Sequence, residues 1–247
     1  MAYEFPSVER EIYPKTFLKD VRMLLSFPTV GQSESIDKKL ANFFDLTFGL
    51  KGVCYEDIKK KKINVYSKVG KIRYNFDVSS IELIIGQPTY NSFENTEKYR
   101  LIALDFISLF GYDKVDKVVI SKYNQLSYST SGNDVATVMT NVFSPWLLQN
   151  MTEEDRSVQK SLARWEKTLH YLGEDETNSL FTIEFGFKRK SVDQEKDALT
   201  LKTQIESQKA YIEIKSLKTL LEEYNQILDN GFHYCISENV KKLMKEE

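Results

Sequence analysis

The sequence predicts an α+β fold: antiparallel sheet with helices packed on one side and a C-terminal helical segment that closes the core. Segments in which apolar residues alternate with period two are interspersed with segments in which they recur at steps of three and four. Consecutive period-two segments joined by short turns favour antiparallel meanders. The chain has 247 residues and 41% hydrophobic content, so it can bury a large core without disulfides.

The first two elements are predicted to be a strand and a helix. The strand begins near Thr16, and we expect it at a sheet edge because Pro14 lacks the amide proton that a central ladder needs. The helix begins at Ser33 or Ser35, either of which can cap it, and it ends at Gly49.

A meander of three strands is predicted within residues 53–85. Apolar and polar residues alternate through 63–69 and 72–78, with a short turn at 70–71 between them, and a third strand covers 81–85. One face of this meander is expected to be buried.

A second helix and a further strand complete the first half. The helix begins at Phe93 or Thr96, carries an apolar stripe to Phe110 and ends before Gly111. Residues 115–128 are β-branched and aromatic, which predicts a strand.

The second half contains two ambiguous segments and three predicted strands. Residues 135–148 fit a helix or a strand, and 157–172 fit a helix by composition or a long strand by spacing. Strands are predicted at 179–190, 199–205 and 210–214. In the first of these, phenylalanine supplies most of the apolar face.

The C-terminal segment, residues 217–244, has apolar residues at helical steps along one side. It is either two helical pieces separated near 229–231 or one helix that tolerates Gly231 at a cost of about 1 kcal/mol. Ser237 is expected to cap the last helix.

The predicted domain organisation is a single α+β domain over residues 1–247. No linker rich in Pro, Gly or Ser divides the chain. Each half ends an antiparallel region against helices, so two related subdomains, 1–130 and 131–247, are the alternative.

Charge and cysteine content predict a cytoplasmic protein without a strong preference for polyanions. The formal net charge is -2, and no apolar run is long enough to span a membrane. The N-terminus has no signal-peptide pattern. Cys54 and Cys235 are therefore expected to be reduced thiols.

Common catalytic chemistries find little support in the residue pattern, so we expect no cofactor. The two histidines, His170 and His233, have no zinc-site spacing, and no phosphate loop or nucleophile elbow is present. Acidic clusters at 153–155 and 174–176 are compatible with magnesium, but solvated helix caps or loops are the favoured interpretation.

Two stretches are candidates for binding. The first is the basic run Lys59, Lys60, Lys61 and Lys62 followed by Arg73 and Tyr74, which together could present positive charge and an aromatic ring to nucleic acid. The structural alternative is a solvated loop that leads into the meander, with lysines that oppose pairing at the sheet edge.

The second candidate comprises Lys122, Tyr123 and Asn124, whose polar groups could line a pocket at a strand end. Hydrogen bonding at the strand terminus is the structural alternative.

The C-terminal pattern resembles the end of a sporadically distributed, functionally uncharacterised prokaryotic family of chains about this long. In that family a helix leads to Phe, then to an Ile-Thr pair and a short final helix; here Phe232, Ile236 and Ser237 match, with Ser in place of Thr. Residues 116–126 resemble the family's strand, with Lys122 in place of Arg. The family's patchy distribution implies mobile or defence-related genes.

Two functional hypotheses follow. The first is a non-catalytic binding or assembly module of a prokaryotic, defence-associated system that recognises a protein or a nucleic acid. The second is a carboxylate and magnesium-dependent enzyme that acts on nucleotides or nucleic acid. Self-association through exposed strand edges is also expected.

Overall fold

The protein is described by a computed structural model. It covers residues 5–7, 17–28, 43, 63–67, 72–77, 79–86, 97–109, 111–128, 135–149, 151, 162–172, 178–188, 197–208 and 211–246. The predicted helix between residues 33 and 49 lies outside these ranges except for Phe43, which is helical.

The described ranges include ten strands and five helices whose bounds are known, besides the helical residue Phe43. The strands are β1 (Leu18–Ser26), β2 (Ile63–Ser67), β3 (Ile72–Asp77), β4 (Ser80–Gly86), β5 (Lys114–Val115), β6 (Lys117–Tyr128), β7 (Leu162–Leu172), β8 (Asn178–Lys188), β9 (Asp197–Ser207) and β10 (Ile212–Glu213). The helices are α1 (Glu97–Leu109), α2 (Val135–Val142), α3 (Pro145–Leu148), α4 (Ile214–Cys235) and α5 (Glu238–Lys245). The α+β class is confirmed.

Eight strands form one antiparallel sheet in the order β2-β3-β4-β1-β6-β9-β8-β7, and β5 and β10 form a small second sheet. The sheet has two halves with the same strand arrangement: β1 to β4, followed by α1, and β6 to β9, followed by α4. In each half a three-strand meander ends beside the first strand of that half, β4 beside β1 and β9 beside β6. This division falls before β6 and so differs from the boundary at residue 130. The two halves therefore join into one sheet through the β1-β6 pair.

The prediction that the first strand lies at a sheet edge is wrong. β1 occupies the centre of the sheet, with β4 on one side and β6 on the other. The described strand begins at Leu18, four positions after Pro14 in the sequence, so the rule against proline within a central strand does not apply to it.

The described helices pack on one face of the large sheet. Residues that alternate along each strand point to this face and are buried; on β8 they are Phe181, Ile183, Phe185 and Phe187, as the phenylalanine-rich pattern predicted. We call it the helix-covered face. Side chains from both halves of the sheet belong to one continuous apolar core.

The two ambiguous segments are now assigned. Residues 135–148 form two short helices, the second capped by the Ser144 hydroxyl, which accepts a hydrogen bond from the Leu147 amide at 3.4 Å. In the other segment, β7 begins at Leu162 and pairs with β8 over its full length.

The C-terminal segment contains one long helix and one short helix. α4 continues through Gly231 and ends at Cys235, so the continuous-helix alternative is confirmed. The Ser237 hydroxyl accepts from the Val240 amide at 3.3 Å and caps α5, as predicted. No helix in the described ranges is both long and apolar enough to cross a membrane.

Candidate functional site

The candidate site is the face of the large sheet opposite the helices. The register aligns side chains into rows that cross the sheet; one row joins Arg73 on β3 to Thr168 on β7. We call this surface the open face. Its rows include the described side chains of Asp20, Arg22, Leu24, Arg73, Asn75, Glu82, Ile84, Lys117, Val119, Ser121, Tyr123, Thr168, Leu180, Thr182, Glu184, Lys202, Gln204 and Glu206.

Three ion pairs on the open face neutralise charge locally. Arg22 Nε lies 3.1 Å from Asp20 Oδ1 on the same strand. Two further pairs cross between strands: Lys117 Nζ is 2.6 Å from Glu206 Oε1, and Lys202 Nζ is 3.1 Å from Glu184 Oε1. The face therefore presents alternating signs of charge.

Half-buried aliphatic side chains lie among these charges. Leu24 and Val119 are register partners at the centre of the sheet, while Ile84 and Leu180 lie towards its two sides. At the middle of the β1-β6 pair, Ser121 is only 6% exposed, between its register partners Arg22 and Gln204. The result is a broad surface of mixed polarity, with aliphatic side chains between the charges.

Tyr123 is a half-buried hydrogen-bonding group at the same centre. Its register partner on β1 is Asp20. Burial, and secondarily the negative charge of Asp20, raise the pKa of the Tyr123 phenol above its usual value. The hydroxyl therefore stays protonated at neutral pH and can donate a hydrogen bond.

The structure divides the candidate binding residues from the sequence between the two faces. Arg73 is exposed on the open face and Tyr123 is half-buried there. Tyr74, Lys122 and Asn124 are buried on the helix-covered face. The basic run of residues 59–62 lies outside the described residues.

Lys122 and Asn124 make structural contacts on that face. The Lys122 ammonium forms a short ion pair with Asp229 of α4, which ties the helix to the centre of the sheet. The Asn124 amide donates to the Leu201 carbonyl at 3.5 Å. Asn124 also borders a small, mostly apolar pocket whose other walls include Phe143, Phe232 and Val240.

The metal-site hypothesis depended on acidic clusters at residues 153–155 and 174–176, and both lie outside the described residues. Within the ranges that the structure describes, no group of three or more His, Cys, Asp or Glu side chains could hold a metal ion.

Sequence reasoning missed the cross-strand ion pairs of the open face. Lys117 and Glu206, and likewise Glu184 and Lys202, are far apart in the chain and fall at ordinary polar positions of alternating strands. The period-two pattern could identify each of them as solvent-facing. Only the register between strands shows that they pair.

No family model matches the chain, and no curated protein sequence matches it significantly. Among solved structures, the chain is similar to Methanococcus jannaschii TBP, with 11% identity over 88% of this chain and 98% of that chain. The TM-score is 0.30, which is too low for the likeness to support a conclusion about this chain.

Proposed function

We propose that the chain is a non-catalytic binding module that takes a protein partner on its open face. The observation that carries this proposal is the sign-balanced charge of that face. Of the described side chains on the open face, four are acidic and four are basic. Six of these eight form ion pairs with one another.

The size of the open face suits a protein interface. Eight strands about 4.8 Å apart span roughly 34 Å, and strands of five to twelve residues give a surface on the order of 800 Å². One partner of a standard protein–protein interface buries about that area.

The charge pattern favours protein over nucleic acid. Nucleic-acid affinity comes largely from cations that neutralise phosphates. On the open face Arg22, Lys117 and Lys202 are already paired with carboxylates, and those carboxylates would repel a phosphate backbone. Mixed charges with aliphatic side chains between them instead provide the specificity and desolvation that protein interfaces use.

The biological setting of this module is part of the same proposal. The C-terminal resemblance favours a prokaryotic system, and the family's patchy distribution favours one associated with defence. This setting implies that the protein partner is encoded by a neighbouring gene.

Two substitutions at Val119 test the choice of partner. The side chain is half-buried at the centre of the open face, beside Leu24. Val119→Lys and Val119→Glu place opposite charges at one position, and either charge would be buried by a protein partner. We expect both variants to bind a purified neighbour-encoded protein at least tenfold more weakly, about 1.4 kcal/mol.

A surface variant on α4 and a nucleic-acid titration serve as controls for this experiment. Thr219→Lys adds charge at an exposed position of α4 and should leave binding unchanged, and circular dichroism checks the fold of every variant. Labelled single-stranded and double-stranded DNA and RNA are titrated in parallel by fluorescence anisotropy. Nucleic-acid binding that Val119→Lys strengthens and Val119→Glu weakens would overturn the proposal, as would protein binding that neither variant changes.

A further inference from the structure

β7 is the outermost strand at one side of the large sheet in the described part of the chain, and Lys167 is its sixth residue of eleven. A strand with only one neighbour presents unpaired backbone amides and carbonyls along its other side, which can template pairing with another chain. The edge formed by β7 is long enough for such pairing, so the side chains near it decide whether it is used.

Lys167 points to the helix-covered face, where its register partner is the fully buried Ile183. Its ammonium donates a hydrogen bond to the Trp146 carbonyl at 2.7 Å and lies 4.5 Å from the centroid of the Trp146 ring. The side chain is half-buried. The Lys167 ammonium therefore lies at the boundary between the apolar core and solvent.

Burial lowers the pKa of Lys167, so the local environment already opposes the charged form. A strand added beside β7 would remove more water from the same ammonium. Charged residues that point inwards on edge strands oppose edge-to-edge association for this reason.

The central position of Lys167 adds a second obstacle to pairing between two copies. If two β7 strands paired antiparallel over their full length, the register partners would be Leu162 with Leu172 and each Lys167 with the other. Side chains directly opposite each other have Cβ atoms about 5 Å apart, and like charges there are destabilising. The register with the most backbone hydrogen bonds is therefore the least favourable electrostatically.

We propose that Lys167 blocks the β7 edge against pairing with β7 of a second copy of this chain, which keeps the open face as the protein's binding surface. The sequence predicted self-association through exposed strand edges, and Lys167 opposes that route at β7. The blocking role does not depend on which partner the open face binds.

Amide hydrogen exchange of the wild-type protein over a wide range of concentration tests the proposal without any substitution. Alternate amides of β7 face away from β8, and none of these amides takes part in the β7-β8 ladder. We expect their exchange rates to be independent of protein concentration. Protection of these amides that increases with concentration would show that β7 pairs in the presence of Lys167, and the proposal would be wrong.

Substitution of the lysine provides the complementary test. Lys167→Met and Lys167→Gln remove the charge, and we expect at least tenfold tighter self-association by analytical ultracentrifugation, with new protection in β7. Lys167→Arg keeps the charge and should behave as the wild type. Folded neutral variants that associate no more than the wild type would contradict the block.

Discussion

Tyr224 and Ser179 form a hydrogen bond of 2.6 Å between α4 and β8, where both residues are buried. Burial raises the pKa of Tyr224 to about 12, although the hydrogen bond to Ser179 acts in the opposite direction. A folded-state pKa above the usual value of 10.0 means that the unfolded chain loses this proton first. Stability from this group is complete below pH 10 and decreases above it.

The first prediction concerns this pH dependence. Between pH 10 and about 12 we expect Tyr224 to lower the free energy of unfolding by about 1.4 kcal/mol per pH unit. Tyr224→Phe removes the ionisable group, so the difference between the two proteins should change with that slope in urea unfolding. Ser179→Ala is the control because it keeps the phenol. Parallel pH profiles for wild type and Tyr224→Phe would contradict the assignment.

The second prediction concerns the Lys122–Asp229 ion pair between β6 and α4. Lys122→Met leaves the Asp229 carboxylate, whose side chain is 22% exposed, against the helix-covered face. We expect a loss of about 3 kcal/mol in the free energy of unfolding, since removal of the lysine leaves the Asp229 charge without its ion-pair partner. Chemical denaturation measures this loss.

A double substitution and a surface pair serve as controls for that experiment. Lys122→Met combined with Asp229→Leu removes both charges and should recover most of the stability. Arg22→Met breaks the Arg22–Asp20 pair, where the arginine side chain is 51% exposed, and should cost less than about 1 kcal/mol. Equal losses for Lys122→Met and Arg22→Met would show that burial of the Lys122 pair has no energetic consequence.

At the scale of single elements, α4 shows what helix propensity leaves open. Gly231 was compatible with a break between two helices or with one continuous helix, and the helix continues through it. A Cβ atom at this position would lie 2.6 Å from Phe181 Cζ and 3.2 Å from Phe5 Cε2. The glycine therefore allows the helix to approach β8 closely, a tertiary requirement that helical periodicity alone does not contain.

The third prediction follows from this close approach. Gly231→Ala gains about 1 kcal/mol of helix propensity but forces the Phe181 ring to move, and overpacking of a core costs about 1 to 3 kcal/mol. We expect a net loss of about 1 kcal/mol in the free energy of unfolding, measured in urea. Thr219→Ala, at an exposed position of the same helix, should gain a few tenths of a kcal/mol instead. A stabilised Gly231→Ala protein would mean that Phe181 relaxes at no cost.

Element types could be predicted where one face of a segment is buried and the other is wet. The meander of β2, β3 and β4, the strand β8 and the cap at Ser237 all followed from local pattern. The segment that contains β7 stayed ambiguous because an edge strand with Lys167 pointing inwards breaks the simple alternation of apolar and polar residues. Local pattern was also insufficient for 135–148, which the structure divides into two helices.

At the scale of the whole molecule, the order of strands lay beyond prediction from sequence. β1 pairs with β6 and β6 with β9, and these partners are separated by long stretches of chain. Their register determines which side chains meet, and hence the paired charges of the open face. Of the described candidate binding residues, the sequence predicted Arg73 and Tyr123, which reach that face, but it could not separate them from Tyr74 and Lys122.

The fourth prediction concerns cooperativity between the two halves. The β1-β6 pair joins them into one sheet, and the apolar core includes side chains from both. Opening either half would expose the core of the other, so we expect a single unfolding transition.

Two spectroscopic probes can compare the halves. Trp146 and Trp165 are the only tryptophans, and both belong to the second half, so fluorescence reports on that half. Far-ultraviolet circular dichroism reports on the whole chain. Urea transitions measured by the two probes should coincide. A dichroism change that is completed before or after the fluorescence change would show that the halves unfold separately, and that the central pair contributes less than the core within each half.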